Sequence, residues 1–167
     1  MSRRYIIPDP FRFAAERRVQ SGKLSPDALE RSQDLLLPKD GEMLDWQLSG
    51  WREEDGQAFF SLTLSGTLTL VCQRCLSGMP WVFDATTIMR LVKPGTPVSD
   101  EELEVDTFDT IEAFADLDVL ALVEDEILIS MPTVPRHDDC QAPVATDAGQ
   151  EDSPFAVLAK LRGKRNN

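Results

Sequence analysis

Apolar and polar residues alternate with a period of two from Phe60 to Cys72. Phe60, Leu62, Leu64, Leu68, Leu70 and Cys72 fall in one row, with Gly66 among them, and Ser61, Thr63, Ser65, Thr67 and Thr69 fall in the other. Successive side chains of a strand point to opposite faces, so the pattern predicts a long strand with one buried and one wet face. Gly66 in its middle predicts a bulge or sharp bend. Met43 to Trp51 predicts a partner strand across a turn at Glu53 to Gly56, and Trp81 to Val92 predicts another across Ser77 and Gly78. The expected sheet is an antiparallel meander or partly closed barrel with Cys72 and Cys75 at one hairpin end.

Helical signals flank the meander. Asp9 followed by Pro10 is a capped helix start, and Phe11 to Gln20 continue with helix formers until Gly22. Ser25 and Pro26 repeat the signal, with Ala28, Leu29, Leu35 and Leu36 as an apolar face ending at Pro38. These predict two N-terminal helices. A short strand is expected near Leu103 to Val105. Leu117, Leu120, Ala121, Leu128 and Met131 then recur at helical spacing around Glu124, Asp125 and Glu126, predicting a core helix that Pro132 ends. Ser153 and Pro154 start a last segment carrying Phe155, Val157, Leu158 and Leu161. The fold class is α+β: one domain over residues 1–152, then a basic docking helix or tail over 153–167.

Charge changes the picture. The chain of 167 residues has a net charge of -12, but Met1 to Leu24 and Phe155 to Asn167 are each +4, so the intervening body carries -20. Such a body opposes tight binding to exposed phosphate backbone. Val98 to Glu126 holds twelve acidic residues and no basic one. That run reads either as a solvated face or as a cradle for a basic partner through Glu101, Glu102, Glu104, Asp106, Glu124, Asp125 and Glu126. The tail, with Phe155 and Leu158, reads as a docking helix or as an arm that folds on a partner.

Candidate chemistry rests on few residues. Cys72 and Cys75 are separated by two residues, and His137 and Cys140 repeat that gap after 61 intervening residues. Two-residue gaps let a turn aim two side chains at one tetrahedral ion, so the four residues form a candidate structural zinc site. Buried apolar thiols in a reducing compartment and a redox dithiol are the alternatives. Three cysteines do not make a disulfide framework, and no run approaches a membrane span, so a soluble cytoplasmic protein is expected. No phosphate-cradling loop, dinucleotide fingerprint or zinc-protease helix is present, and His137 is the only histidine. Catalysis is not expected.

Three blocks occur in order: Cys72, Gln73, Arg74, Cys75, Leu76; Leu122 to Ile127 leading to Pro132, Pro135 and His137; and Pro154, Phe155, Ala156, Val157, Leu158. Together they resemble the YceD family of large ribosomal RNA subunit accumulation proteins. The resemblance implies a bacterial, cytoplasmic, non-enzymatic factor needed for normal accumulation of 23S ribosomal RNA. It marks Cys72, Cys75, Glu124, Asp125, Glu126 and the Pro154 to Leu158 tail. Joined to the charge pattern, it leads to the expectation that the acidic body holds a ribosomal protein or large-subunit assembly factor. Ribosomal RNA is then met directly or indirectly through the basic ends, Arg3, Arg4, Arg17 and Arg18 with Lys160, Arg162, Lys164 and Arg165. The alternatives are a direct RNA-binding module using those ends, and a structural zinc protein without a ribosomal role.

Overall fold

The long period-two segment becomes the middle strand of an open sheet. The computed structural model describes residues 5–100 and 106–143. In chain order its strands are β1 (Ile6–Ile7), β2 (Val19–Leu24), β3 (Leu44–Arg52), β4 (Ala58–Val71), β5 (Gly78–Val92), β6 (Asp109–Glu112) and β7 (Leu117–Asp118), and its α-helices are α1 (Pro10–Ala15) and α2 (Val119–Ser130). Five strands pair in the order β2-β3-β4-β5-β6, while β1 and β7 form a separate two-stranded ladder. The first four strands of the large sheet are antiparallel and β6 runs parallel to β5. The edge strands β2 and β6 sit at opposite ends of the order, so the sheet is not closed and the barrel alternative is replaced by an open one.

Register follows from the apolar row of β4. Leu62 and Leu64 lie opposite Leu48 and Trp46 of β3, so large inward side chains share one face. Gly66 makes no bulge, because Ser65, Gly66 and Thr67 pair in sequence with Asp84, Phe83 and Val82. The glycine instead admits the start of β3, since a Cβ there would stand 2.9 Å from the Met43 carbonyl oxygen. Against this face pack α1, through the edge-to-face pair Phe13 and Phe60 with centroids 5.5 Å apart, and α2.

The helical expectations need three corrections. Asp9 does cap α1, accepting from the Arg12 amide at 2.9 Å, but the helix ends at Ala15 rather than Gln20. Arg17 takes a left-handed conformation (φ 50°), and Val19 to Leu24 then join the sheet against Leu44 to Ser49. Sheet pairing thus overrides helix propensity. Gly22 is a strand position under the Trp46 indole, where a Cβ would meet Nε1 at 2.9 Å. The second expected helix is two short 3-10 turns, Pro26–Ala28 and Glu30–Leu35. The buried stripe of α2 is Val119, Val123 and Ile127, one turn apart, whereas Ala121 faces solvent and Leu128 is half-buried. The strand expected near Leu103 and the tail over 153–167 lie outside the described residues. No helix among the described residues is long and apolar enough to cross a membrane.

Candidate metal centre

Pairing of β4 with β5 closes at Val71 and Gly78, which leaves Cys72 to Ser77 as the connection. Two backbone hydrogen bonds shape it: the Cys72 amide donates to the Ser77 carbonyl and the Leu76 amide to the Cys72 carbonyl, each at 2.9 Å. Leu76 adopts a left-handed conformation (φ 62°) to complete the turn. The segment after α2 returns to this hairpin, where the Gln73 amide donates to the Pro135 carbonyl at 2.8 Å. Arg74 holds the same segment through its guanidinium, which donates to the carbonyls of His137 at 2.7 Å and Asp138 at 2.9 Å.

These contacts bring Cys72, Cys75, His137 and Cys140 into one cluster whose ligand atoms all lie within 4.8 Å of one another. The Sγ atoms of Cys72 and Cys140 are 3.7 Å apart, and Cys75 Sγ is 3.5 Å from His137 Nδ1. A zinc tetrahedron with Zn–S about 2.3 Å and Zn–N about 2.0–2.1 Å has S···S and S···N edges of about 3.8 and 3.6 Å. The two edges match that figure, and all three thiols are free, so the cluster can hold a metal such as zinc. Three thiolates, one neutral imidazole and a divalent ion sum to one negative charge, which Arg74 offsets by donating from Nε to Cys140 Sγ at 3.0 Å.

Electrostatics prepare the ligands unequally. Burial raises the Cys72 thiol, but the amides of Cys75, His137 and Arg74, with the Cys75 thiol, outweigh it and lower the pKa from 9.0 to about 5. The Ser77 hydroxyl, 3.0 Å from Cys75 Sγ, lowers Cys75. Hydrogen bonds to Cys72 and Cys75 raise His137. Burial raises Cys140 despite the hydrogen bond from Arg74. A thiolate already favoured at Cys72 gives an incoming cation its first ligand.

The acidic residues of α2 are engaged internally. Glu124 is buried, and its Oε1 accepts from the Arg31 amide at 2.6 Å, the Ser32 amide at 3.0 Å and the Ser32 hydroxyl at 3.2 Å. It caps the second 3-10 turn, whose own N-cap residue, Leu29, has no side-chain acceptor. Asp125 pairs with Arg31. Glu126 accepts from Thr87 at 2.6 Å and Ser130 at 3.0 Å. Asp106, Arg17 and Arg18 are exposed, with the Arg18 guanidinium 5.4 Å from the centre of the Phe13 ring. Glu101, Glu102, Glu104, Phe155, Leu158, Arg3, Arg4, Lys160, Arg162, Lys164 and Arg165 lie outside the described residues.

Sequence reasoning missed the clamping role of Arg74, which reads as turn solvation until the loop after α2 is in place. Its position between the two cysteines was the available signal. The role of Glu124 left no local signal, because the amides that donate to it, those of Ser32 and Arg31, are 92 and 93 residues away.

No solved structure matches this one. A family model for the large ribosomal RNA subunit accumulation protein YceD matches residues 60–162, which takes in β4 from Phe60 onward, the thiol hairpin, α2 and all four clustered ligands. The opening Asp9 and Pro10 segment stands outside the matched region. The family's name describes an accumulation factor and not a catalyst, and the match covers well over half of the chain: the chain belongs to the YceD family of large ribosomal RNA subunit accumulation proteins.

Proposed function

We propose that this protein supports accumulation of 23S ribosomal RNA without catalysing a reaction, acting in the cytoplasm by holding a basic ribosomal protein or large-subunit assembly factor against its acidic body. The observation that carries the ribosomal RNA part of this reading is the family match over residues 60–162. The charge pattern supports it, since a central body of -20 attracts basic polypeptide and repels free phosphate backbone. Glu101, Glu102, Glu104 and Asp106 supply the partner surface in this reading; Glu124 is buried and maintains the fold, and Asp125 and Glu126 are engaged by Arg31 and by Thr87 and Ser130. The basic ends make whatever RNA contact occurs.

Cys72, Cys75, His137 and Cys140 would hold a structural zinc. Bound there, the ion would supply a cross-link between the β4–β5 hairpin and the segment following α2, fixing the lower end of the helix relative to the sheet. Four protein ligands would fill a tetrahedral site, the arrangement of a structural rather than a catalytic zinc.

Direct RNA binding is the rival reading, favoured by the exposed Arg17 and Arg18 after α1. Titrating the full-length protein separately with protein-free large-subunit RNA and with the extracted large-subunit proteins, over a salt series, separates the two. The proposal predicts saturable binding to a protein component, weakened when Glu101, Glu102, Glu104 and Asp106 are neutralised together. Tight RNA binding with a steep salt slope, reduced by Arg17→Gln and Arg18→Gln, would establish the rival. Metal binding without either interaction would leave a structural zinc protein with no ribosomal role.

A further inference from the structure

The outer side of α2 carries an apolar surface that the ligand cluster and the acidic body do not use. Ile129 is 81% exposed, Val134 63% and Leu35 38%. They belong to one groove: Leu35, Leu128, Ile129 and Val134 line its lower part, and through Leu128 and Ile129 it continues into an upper part lined by Leu122 and Ile111. The two adjoining parts, which share Leu128 and Ile129, leave these side chains open to a small covering element. Its upper rim carries Asp109, Asp125 and Glu126 against a single cation, Arg31, which Asp125 already pairs. The cover that suits it is apolar on one side and basic on the other.

The chain itself contains such a segment. Phe155, Leu158 and Leu161 recur every third residue, and Lys160, Arg162, Lys164 and Arg165 follow with no acidic residue from Phe155 onward. The route is short. Arg74 holds the loop at His137, Asp138 and Cys140, and its neighbour Gln73 lines the lower end of the groove. The described chain ends a few residues later at Pro143, and the stretch from there to Phe155 reaches about 40 Å when extended. A tether of that length gives an effective concentration on the order of millimolar, enough for a small apolar contact to persist. The family match over residues 60–162 spans both the groove's helix and this segment as far as Arg162.

We infer that the groove over Leu128 and Ile129 is an intramolecular docking site for residues 155–165 of the same chain, with the apolar side chains in the groove and the basic ones toward the acidic rim. The inference goes beyond the ribosomal reading and does not depend on it. Docking also covers Ile129 and brings the +4 tail against the -20 body, which shortens the molecule's reach of positive charge.

Hydrogen exchange of the purified full-length protein, read by mass spectrometry at two protein concentrations, tests it. Amides of residues 156–161 should exchange at least about tenfold more slowly than in the free peptide. That protection should vanish in Ile129→Asp, whose exposed position leaves the fold intact, and in Phe155→Ser with Leu158→Ser, and it should be equal at both concentrations. Unprotected tail amides in the unsubstituted protein, or protection that survives Ile129→Asp, would overturn the inference. Protection that grows with protein concentration would also overturn it, assigning the groove to a second copy.

Discussion

Cys72 and Glu124 occupy buried positions with opposite chemical purposes. Cys72 carries a pKa lowered by the hydrogen bonds around it, so the metal-free protein should hold it as a thiolate at neutral pH. Ultraviolet thiolate absorbance of the metal-free protein should therefore titrate one group near pH 5, and Cys72→Ser should remove that step. The linkage has a definite sign. A thiol at 9.0 when unfolded and about 5 when folded stabilises the fold fully above 9.0, and the contribution is lost as pH falls through about 5. A single titration step above pH 8 would contradict the assignment. Glu124 spends its carboxylate on the amides of Arg31 and Ser32, so Glu124→Ala should cost about 1–3 kcal/mol in urea unfolding by stranding buried donors. Only the first of these roles is written locally. The four candidate ligands were legible from their two-residue gaps, but Arg74 and Glu124 act on partners more than 60 residues away.

At the scale of elements, what could be read were the strands whose side chains alternate against one core face. Leu62, Leu64 and Trp46 announce β4 and β3 because a strand half in water must alternate. The helices were harder. Glu16 to Gln20 suit a helix by propensity, yet Arg17 turns left-handed and Val19 gains a full ladder on β3, a non-local gain that no local pattern reveals. In α2 nearly every position is apolar or acidic, so several stripes compete, and the sheet selects Val119, Val123 and Ile127. The parallel pairing of β6 with β5 is likewise set by tertiary contact. The ligand cluster joins two of these elements, the β4–β5 hairpin and the loop after α2. Purified protein should carry about one zinc per chain. Chelation should lower the melting temperature and speed proteolysis between residues 132 and 143, and His137→Ala should reproduce both effects in the presence of zinc. Unchanged melting after complete metal removal would show that Arg74 and Gln73 hold the loop unaided.

For the whole molecule, the decisive property is the separation of charge: basic ends on a body of -20, with the family match lying across the body and the start of the tail. That separation was visible in the sequence, because charge counts need no fold. Which carboxylates remain available was not, since burial of Glu124 and pairing of Asp125 with Arg31 depend on the packing of α2 over the 3-10 turns. The partner-holding role predicts that loss of the protein is felt in one ribosomal subunit. Sucrose-gradient profiles of cells depleted of the protein, with precursor and mature 23S RNA quantified in each fraction, test this most directly. Depletion should leave fewer large subunits and less mature 23S RNA while small subunits persist, and the unsubstituted protein should restore both. An unchanged profile and unchanged 23S RNA under complete depletion would contradict it.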